Sequence, residues 1–213
     1  MACRLRQVDI SAAPYFDEAS TAYFREQLER AETYLEYGSG GSTVFANQRV
    51  KVLVSVDSDP HFLAAVARRL DADNAANRAR RPAAASLIHA DIGLTTDWGM
   101  PAFTRHTRRR VRRWADYPAA PWRYLRSISR QPDLILVDGR FRVSCVLESL
   151  LNLEPLSQCQ ILLDDYISRP HYHIVERLCE TRRVGRMAVL QPGASCDRDQ
   201  CRSLLAQYRT DPR

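Results

Sequence analysis

The sequence predicts an α/β domain with one doubly wound, mostly parallel sheet and helices on both faces. Three observations predict it. Segments of strand pattern alternate with segments of helix pattern along the whole chain. The strands are nearly continuous apolar runs, as strands covered on both faces must be. The 213 residues, 45% apolar and 26% charged, suffice for one well-packed core, so residues 1–213 are expected to form a single domain.

The elements follow in order. Residues 1–32 read as an N-terminal helical segment, with an amphipathic helix over Asp17–Leu35 whose apolar face is Ala19, Ala22, Tyr23, Leu28, Ala31 and Leu35. "TYLEY" reads as a short buried strand, and Ser42–Asn47 as the first turns of a helix. "RVKVLVSVDSD" is β-branched and apolar, a strand ending in acid. "DPHFLAAVARRLDADNAANRAR" is a helix with Asp59 as N-cap and Pro60 at its first position. "ASLIHADIG" is a third strand and "QPDLILVDGRFR" a fourth. Then come helix "VSCVLESLLNLE", strand "CQILLDDY", helix "RPHYHIVERLCETRR", strand "VGRMAVLQPG" and helix "DRDQCRSLLAQYR". Residues 93–129, rich in proline, tryptophan and arginine, stand apart as an insertion or lid between strands three and four.

Composition narrows the setting. No apolar run approaches the roughly 20 residues of a membrane span, and "MACRLRQVDI" lacks the apolar core of a signal peptide. The six cysteines Cys3, Cys145, Cys159, Cys179, Cys196 and Cys201 form no C-x-x-C pair. Neither a zinc site nor a disulfide framework is expected, and reduced thiols point to the cytoplasm. The net charge is +6, and Lys51 is the only lysine. Oligomeric state leaves no mark on the sequence.

Ligands of open parallel sheets bind beyond the carboxyl ends of the strands. "TYLEYGSGGSTVFA" places a glycine-rich turn at the first such end. Gly38 and Gly40 allow positive φ and close approach of backbone to ligand. A phosphate-cradling loop would close with Lys-Ser or Lys-Thr, which is missing. A dinucleotide fingerprint would need glycine where Thr43 stands.

"EYGSGGS" instead resembles the acidic-x-G-x-G-x-G motif of class I S-adenosylmethionine-dependent methyltransferases, with Ser42 in place of the last glycine. The resemblance spans Leu35–Pro192 and implies a Rossmann-like fold. It implies that Glu36, Gly38, Ser39, Gly40 and Ser42 form the donor turn. Asp57, about 20 residues on, would take the ribose hydroxyls, and Asp91 would stand beside the adenine. Asp138, at the end of strand four, would lie between donor and acceptor as a catalytic residue. Strand-end aspartates also cap helices and begin turns, and that reading stays open. "LEYGSGGST", "DIGLTTDWGMP", "DLILVDGRFR" and "DDYISRPHYHIVE" further resemble a bacterial subgroup of methyltransferase-like proteins.

Asp138, Asp164 and Asp165 end neighbouring strands, about 4.8 Å apart, and can converge on one ion. Metal-dependent O-methyltransferases of the catechol and sugar types are similar here, which implies Mg²⁺ at these three carboxylates. The competing reading pairs the aspartates with Arg140, Arg142 or Arg169. In "SRPHYHIV", His171 or Tyr172 is a candidate general base or acceptor contact; packing is the alternative.

"TRHTRRRVRRWADYPAAPWRYL" interleaves Arg105, Arg108, Arg109, Arg110, Arg112 and Arg113 with Trp114, Tyr117, Trp122 and Tyr124. It reads as a solvated or lid helix, a contact for an anionic acceptor, or a nucleic-acid surface. The expected function is S-adenosylmethionine-dependent O-methylation of a small molecule, a sugar or other hydroxylated metabolite. RNA or DNA methylation and non-enzymatic binding of an adenosyl ligand are the alternatives.

Overall fold

The computed structural model describes residues 8–77, 81–154, 157–193 and 196–213. Among them, seven strands form one sheet: β1 (Thr33–Tyr37), β2 (Val52–Asp57), β3 (Ala84–His89), β4 (Leu134–Val137), β5 (Gln160–Leu163), β6 (Cys179–Val184) and β7 (Met187–Pro192). Their order is β3-β2-β1-β4-β5-β7-β6. β1 pairs in parallel with β2 on one side and β4 on the other, so the strand order reverses between β1 and β4. β7 runs antiparallel to both β5 and β6.

Among the described residues six α-helices cover the sheet: α1 (Glu18–Arg30), α2 (Gly41–Asn47), α3 (Pro60–Ala76), α4 (Arg108–Ser127), α5 (Arg142–Asn152) and α6 (Arg198–Tyr208). Strand alternation divides the core. Leu35, Val54 and Ile135 pack with Trp122 of α4, Leu147 of α5 and Leu204 of α6. Tyr34, Leu53 and Leu136 face the other way, onto Phe24 and Leu28 of α1 and Phe45 of α2. Asp59 caps α3 as expected, accepting from His61 N and Phe62 N. The predicted end of that helix, residues 78–80, lies outside the described residues, as does Cys3.

Two expectations are corrected. α1 ends at Arg30, and its buried face is Ser20, Phe24 and Leu28 rather than one containing Ala19 and Ala22. Ser20 packs inward because its hydroxyl donates to Val184 O at 3.1 Å. The helix expected over "RPHYHIVERLCETRR" is a 3₁₀ helix, Pro170–Arg177, followed by β6. β6 is an edge strand with exposed Glu180, Arg182 and Arg183, so it lacks the apolar run that marks buried strands. The insertion contains α4, the longest helix of the described residues, where the sequence allowed a helix. α4 buries Trp114, Tyr117, Trp122 and Leu125 in the main core.

Candidate functional site

A cavity of about 840 Å³ opens at the carboxyl ends of β1, β2 and β4, within the usual size range of small-molecule sites. Its floor is two turns in backbone contact. Gly38 has φ 97°, and a Cβ there would lie 2.6 Å from Gly139 N. A Cβ on Gly139 would lie 2.8 Å from Gly38 N. The turns after β1 and β4 close on each other only because both residues are glycine. Gly38 N is satisfied by Val56 O at 2.8 Å.

Asp57 lines the cavity beside this floor. Its Oδ2 accepts from Ser39 N at 3.1 Å and its Oδ1 from Asp59 N at 2.9 Å. Each oxygen keeps a lone pair for a ligand donor. Burial pushes its carboxyl up to about 6 against the pull of those amides. Ser39 lines the cavity too, and its hydroxyl shares a 2.6 Å hydrogen bond with Ser55.

The far wall is charged. Asp138 follows β4, and Asp164 and Asp165 follow β5. Their carboxylate oxygens lie within 4.8 Å of one another. Three guanidinium groups hold them. Arg142 stands 3.0 Å from Asp138 and 3.4 Å from Asp165. Arg169 stands 2.8 Å from Asp165. Arg186 grips the fully buried Asp164 through Nε at 2.8 Å and through Nη2. Burial raises the Asp138 carboxyl to about 7, opposed by Arg142 and reinforced by Asp164 and Asp165. Phe141 and Asp165, on the turns after β4 and β5, have φ of 53° and 58°. Left-handed backbone at non-glycine residues clusters at functional sites.

The roof is the segment from Thr95 to Met100. It is pinched by a bridge between Thr95 and Pro101. Trp98, at φ 60°, is 90% exposed there, and Tyr15 at the rim is 94% exposed.

Comparison with known proteins fits this architecture. The chain is 34% identical to a methyltransferase-like protein from Silicibacter pomeroyi, over 95% of this chain and 100% of that one, with a TM-score of 0.76. The chain belongs to this family of methyltransferase-like proteins. A methyltransferase from Geobacter sulfurreducens is similar in fold alone, at 10% identity over 84% of this chain and 81% of that one, with a TM-score of 0.50. No family model and no curated protein matches the chain. The fold is that of the class I S-adenosylmethionine-dependent methyltransferases.

In this methyltransferase-like protein the expected site residues separate into two groups. Gly38, Ser39, Asp57, Asp138 and Asp165 line the cavity. Glu36, Gly40, Ser42, Asp91, Asp164, His171 and Tyr172 are not in its lining. Glu36 points to the α2 face, where its carboxylate accepts from Tyr34 at 2.9 Å, from Ser42 at 2.8 Å and from Thr43. It braces the turn from beneath. Gly40 N is taken by Thr43 Oγ1 at 2.8 Å. Asp91 is exposed and pairs with Arg113 at 3.2 Å. Buried Tyr172 receives a hydrogen bond from Arg169 at 3.0 Å. Burial and Arg213 lower the pKa of His171, whose ring packs on Tyr172.

Sequence reasoning missed Gly139 and Arg186. The Thr95–Met100 roof lies within residues 93–129, the segment the sequence set apart as an insertion or lid. The donor fits the residues present, because the Asp57 carboxylate has free lone pairs facing the cavity. A divalent cation does not fit the aspartates as they stand, because guanidinium groups already compensate them.

Proposed function

We propose that the cavity binds S-adenosylmethionine and that the chain transfers its methyl group to an oxygen of a small acceptor. The observation that supports this is the conjunction of the Gly38–Gly139 floor with the Asp57 carboxylate at the strand-order reversal. The donor supplies an electrophilic methyl group. Asp57 would accept the ribose hydroxyls, and Gly38 and Ser39 would let the ligand approach the backbone. Asp138 would take the acceptor's hydroxyl proton as the oxygen–carbon bond forms and the carbon–sulfur bond breaks. A carboxyl raised to about 7 is matched to that task near neutral pH. Holding both reactants in line supplies most of the remaining acceleration.

Calorimetry with S-adenosylhomocysteine tests the donor site. Binding by the wild type, weakened about tenfold or more in Asp57→Ala, is expected from the loss of charge-assisted hydrogen bonds. Absence of binding would overturn the reading.

A further inference from the structure

The charged wall of the cavity holds Arg140, Arg142, Arg169, Arg186, Asp138 and Asp165, with the buried Asp164 behind it. Arg142, Arg169 and Arg186 account for Asp138, Asp164 and Asp165. Arg140 is left over. It lines the cavity, yet among the described residues no carboxylate ion-pairs with it. Its Nη1 donates only to Met100 Sδ at 3.0 Å, and a thioether is a weak acceptor. Its Nε is buried without a partner. Burial and the neighbouring Arg142 both work against its charge. A desolvated guanidinium with unspent donors is costly until an anion meets it. A planar fork of donors matches a carboxylate or phosphate.

We propose that Arg140 is an anion-recognition residue that selects a methyl acceptor carrying a carboxylate or phosphate. This rests on the reading of the cavity as a donor-and-acceptor site. The roof belongs to the device. Met100 touches the guanidinium, and a Cβ on Gly99 would lie 3.7 Å from Arg140 Cγ. An anion that displaces the thioether would exchange a weak acceptor for a charged one. Exposed Trp98, two residues from Met100, then stands at the mouth of the same pocket.

The donor's own carboxylate offers the same chemistry as an acceptor's, so the test separates the two. Inorganic phosphate, and in a second series acetate, is titrated calorimetrically into protein saturated with S-adenosylhomocysteine. The wild type is expected to bind one anion. Arg140→Met should weaken that binding about tenfold or more and Arg140→Lys by less. The affinity of Arg140→Met for S-adenosylhomocysteine should stay within about twofold of wild type. Arg108→Gln/Arg109→Gln, on the exposed face of α4, should leave anion binding unchanged. Melting temperatures check that each variant folds.

Several results would overturn the proposal. One is an isotherm unchanged in Arg140→Met, or abolished instead by the α4 variant. Another is no anion binding by the wild type. A third is loss of S-adenosylhomocysteine by Arg140→Met with 5′-methylthioadenosine binding intact, which would assign the guanidinium to the donor's carboxylate. If S-adenosylhomocysteine fails to bind the wild type, the donor reading falls. The same phosphate titration on the unliganded protein then still tests Arg140.

Discussion

Glu36 is an acid with no exposed surface, ringed by the hydroxyls of Tyr34, Ser42 and Thr43. Burial raises its carboxyl, and the hydroxyls pull it back. Its part is to fix the glycine turn to α2. Glu36→Ala would strand three buried hydroxyls and leave a void, so a loss of roughly 3 kcal/mol is expected in urea unfolding, with Glu36→Gln milder. Equal stability of Glu36→Ala and wild type would reject this role. Asp57 makes a second case. Its folded value of about 6 means that it gains a proton as pH falls through 6 and loses acceptor capacity. Affinity for S-adenosylhomocysteine should therefore decline below pH 6, and the decline should be absent in Asp57→Asn. The two acids were legible in the sequence to different degrees. Both were visible as strand-end carboxylates. Strand parity sets Tyr34 and Glu36 on the α2 face, but a motif match reports position along the chain and is blind to that facing.

At the scale of elements, α4 shows how one pattern can be read twice. Arginines and aromatics alternate in its sequence, but the fold sorts them by side. Trp114, Tyr117 and Trp122 are buried, while Arg108, Arg109 and Arg112 are exposed. Trp122 Nε1 donates to Tyr37 Oη at 2.9 Å, and that hydroxyl donates to Pro118 O at 2.8 Å. Those rings are packed into the core. Sequence reasoning allowed a helix here, although Pro118 and Pro121 inside it each remove a backbone donor. Tertiary packing overrides that local cost. The same override turned a helical pattern at 170–183 into a 3₁₀ helix and an edge strand. The strands β1, β2, β4 and β5, buried on both faces, were legible because their apolar runs have one interpretation. Trp122→Ala should lose about 3–5 kcal/mol in urea unfolding. Replacing Arg108, Arg109 and Arg112 with Gln should shift stability by no more than about 0.5 kcal/mol each. Similar losses in both sets would mean that the arginines, too, are structural.

Across the whole molecule, arginines from separate elements are brought to the acidic turns after β4 and β5. The chain carries +6 overall, yet its site gathers Asp138, Asp164 and Asp165 within 4.8 Å. Three carboxylates that close need positive charge among them. The fold draws that charge from three separate places: Arg142 on α5, Arg169 before the 3₁₀ helix, and Arg186 in the turn between β6 and β7. Arg186 ties the antiparallel end of the sheet to the site. Its backbone N also bonds Asp17 Oδ2 at 2.6 Å, at the start of α1. Arg186→Met would leave Asp164 buried without its partner, so a loss of roughly 3 kcal/mol is expected. Mg²⁺ makes the discriminating titrant. If the arginines are the counter-charge, millimolar MgCl₂ should not raise the wild-type melting temperature, and a chelator should not lower it. A cation that bound only the folded protein would raise it by mass action. A saturable Mg²⁺ stabilisation of the wild type, reversed by chelator, would show that the guanidinium groups yield to a metal and that Asp138 works as a ligand rather than as a base.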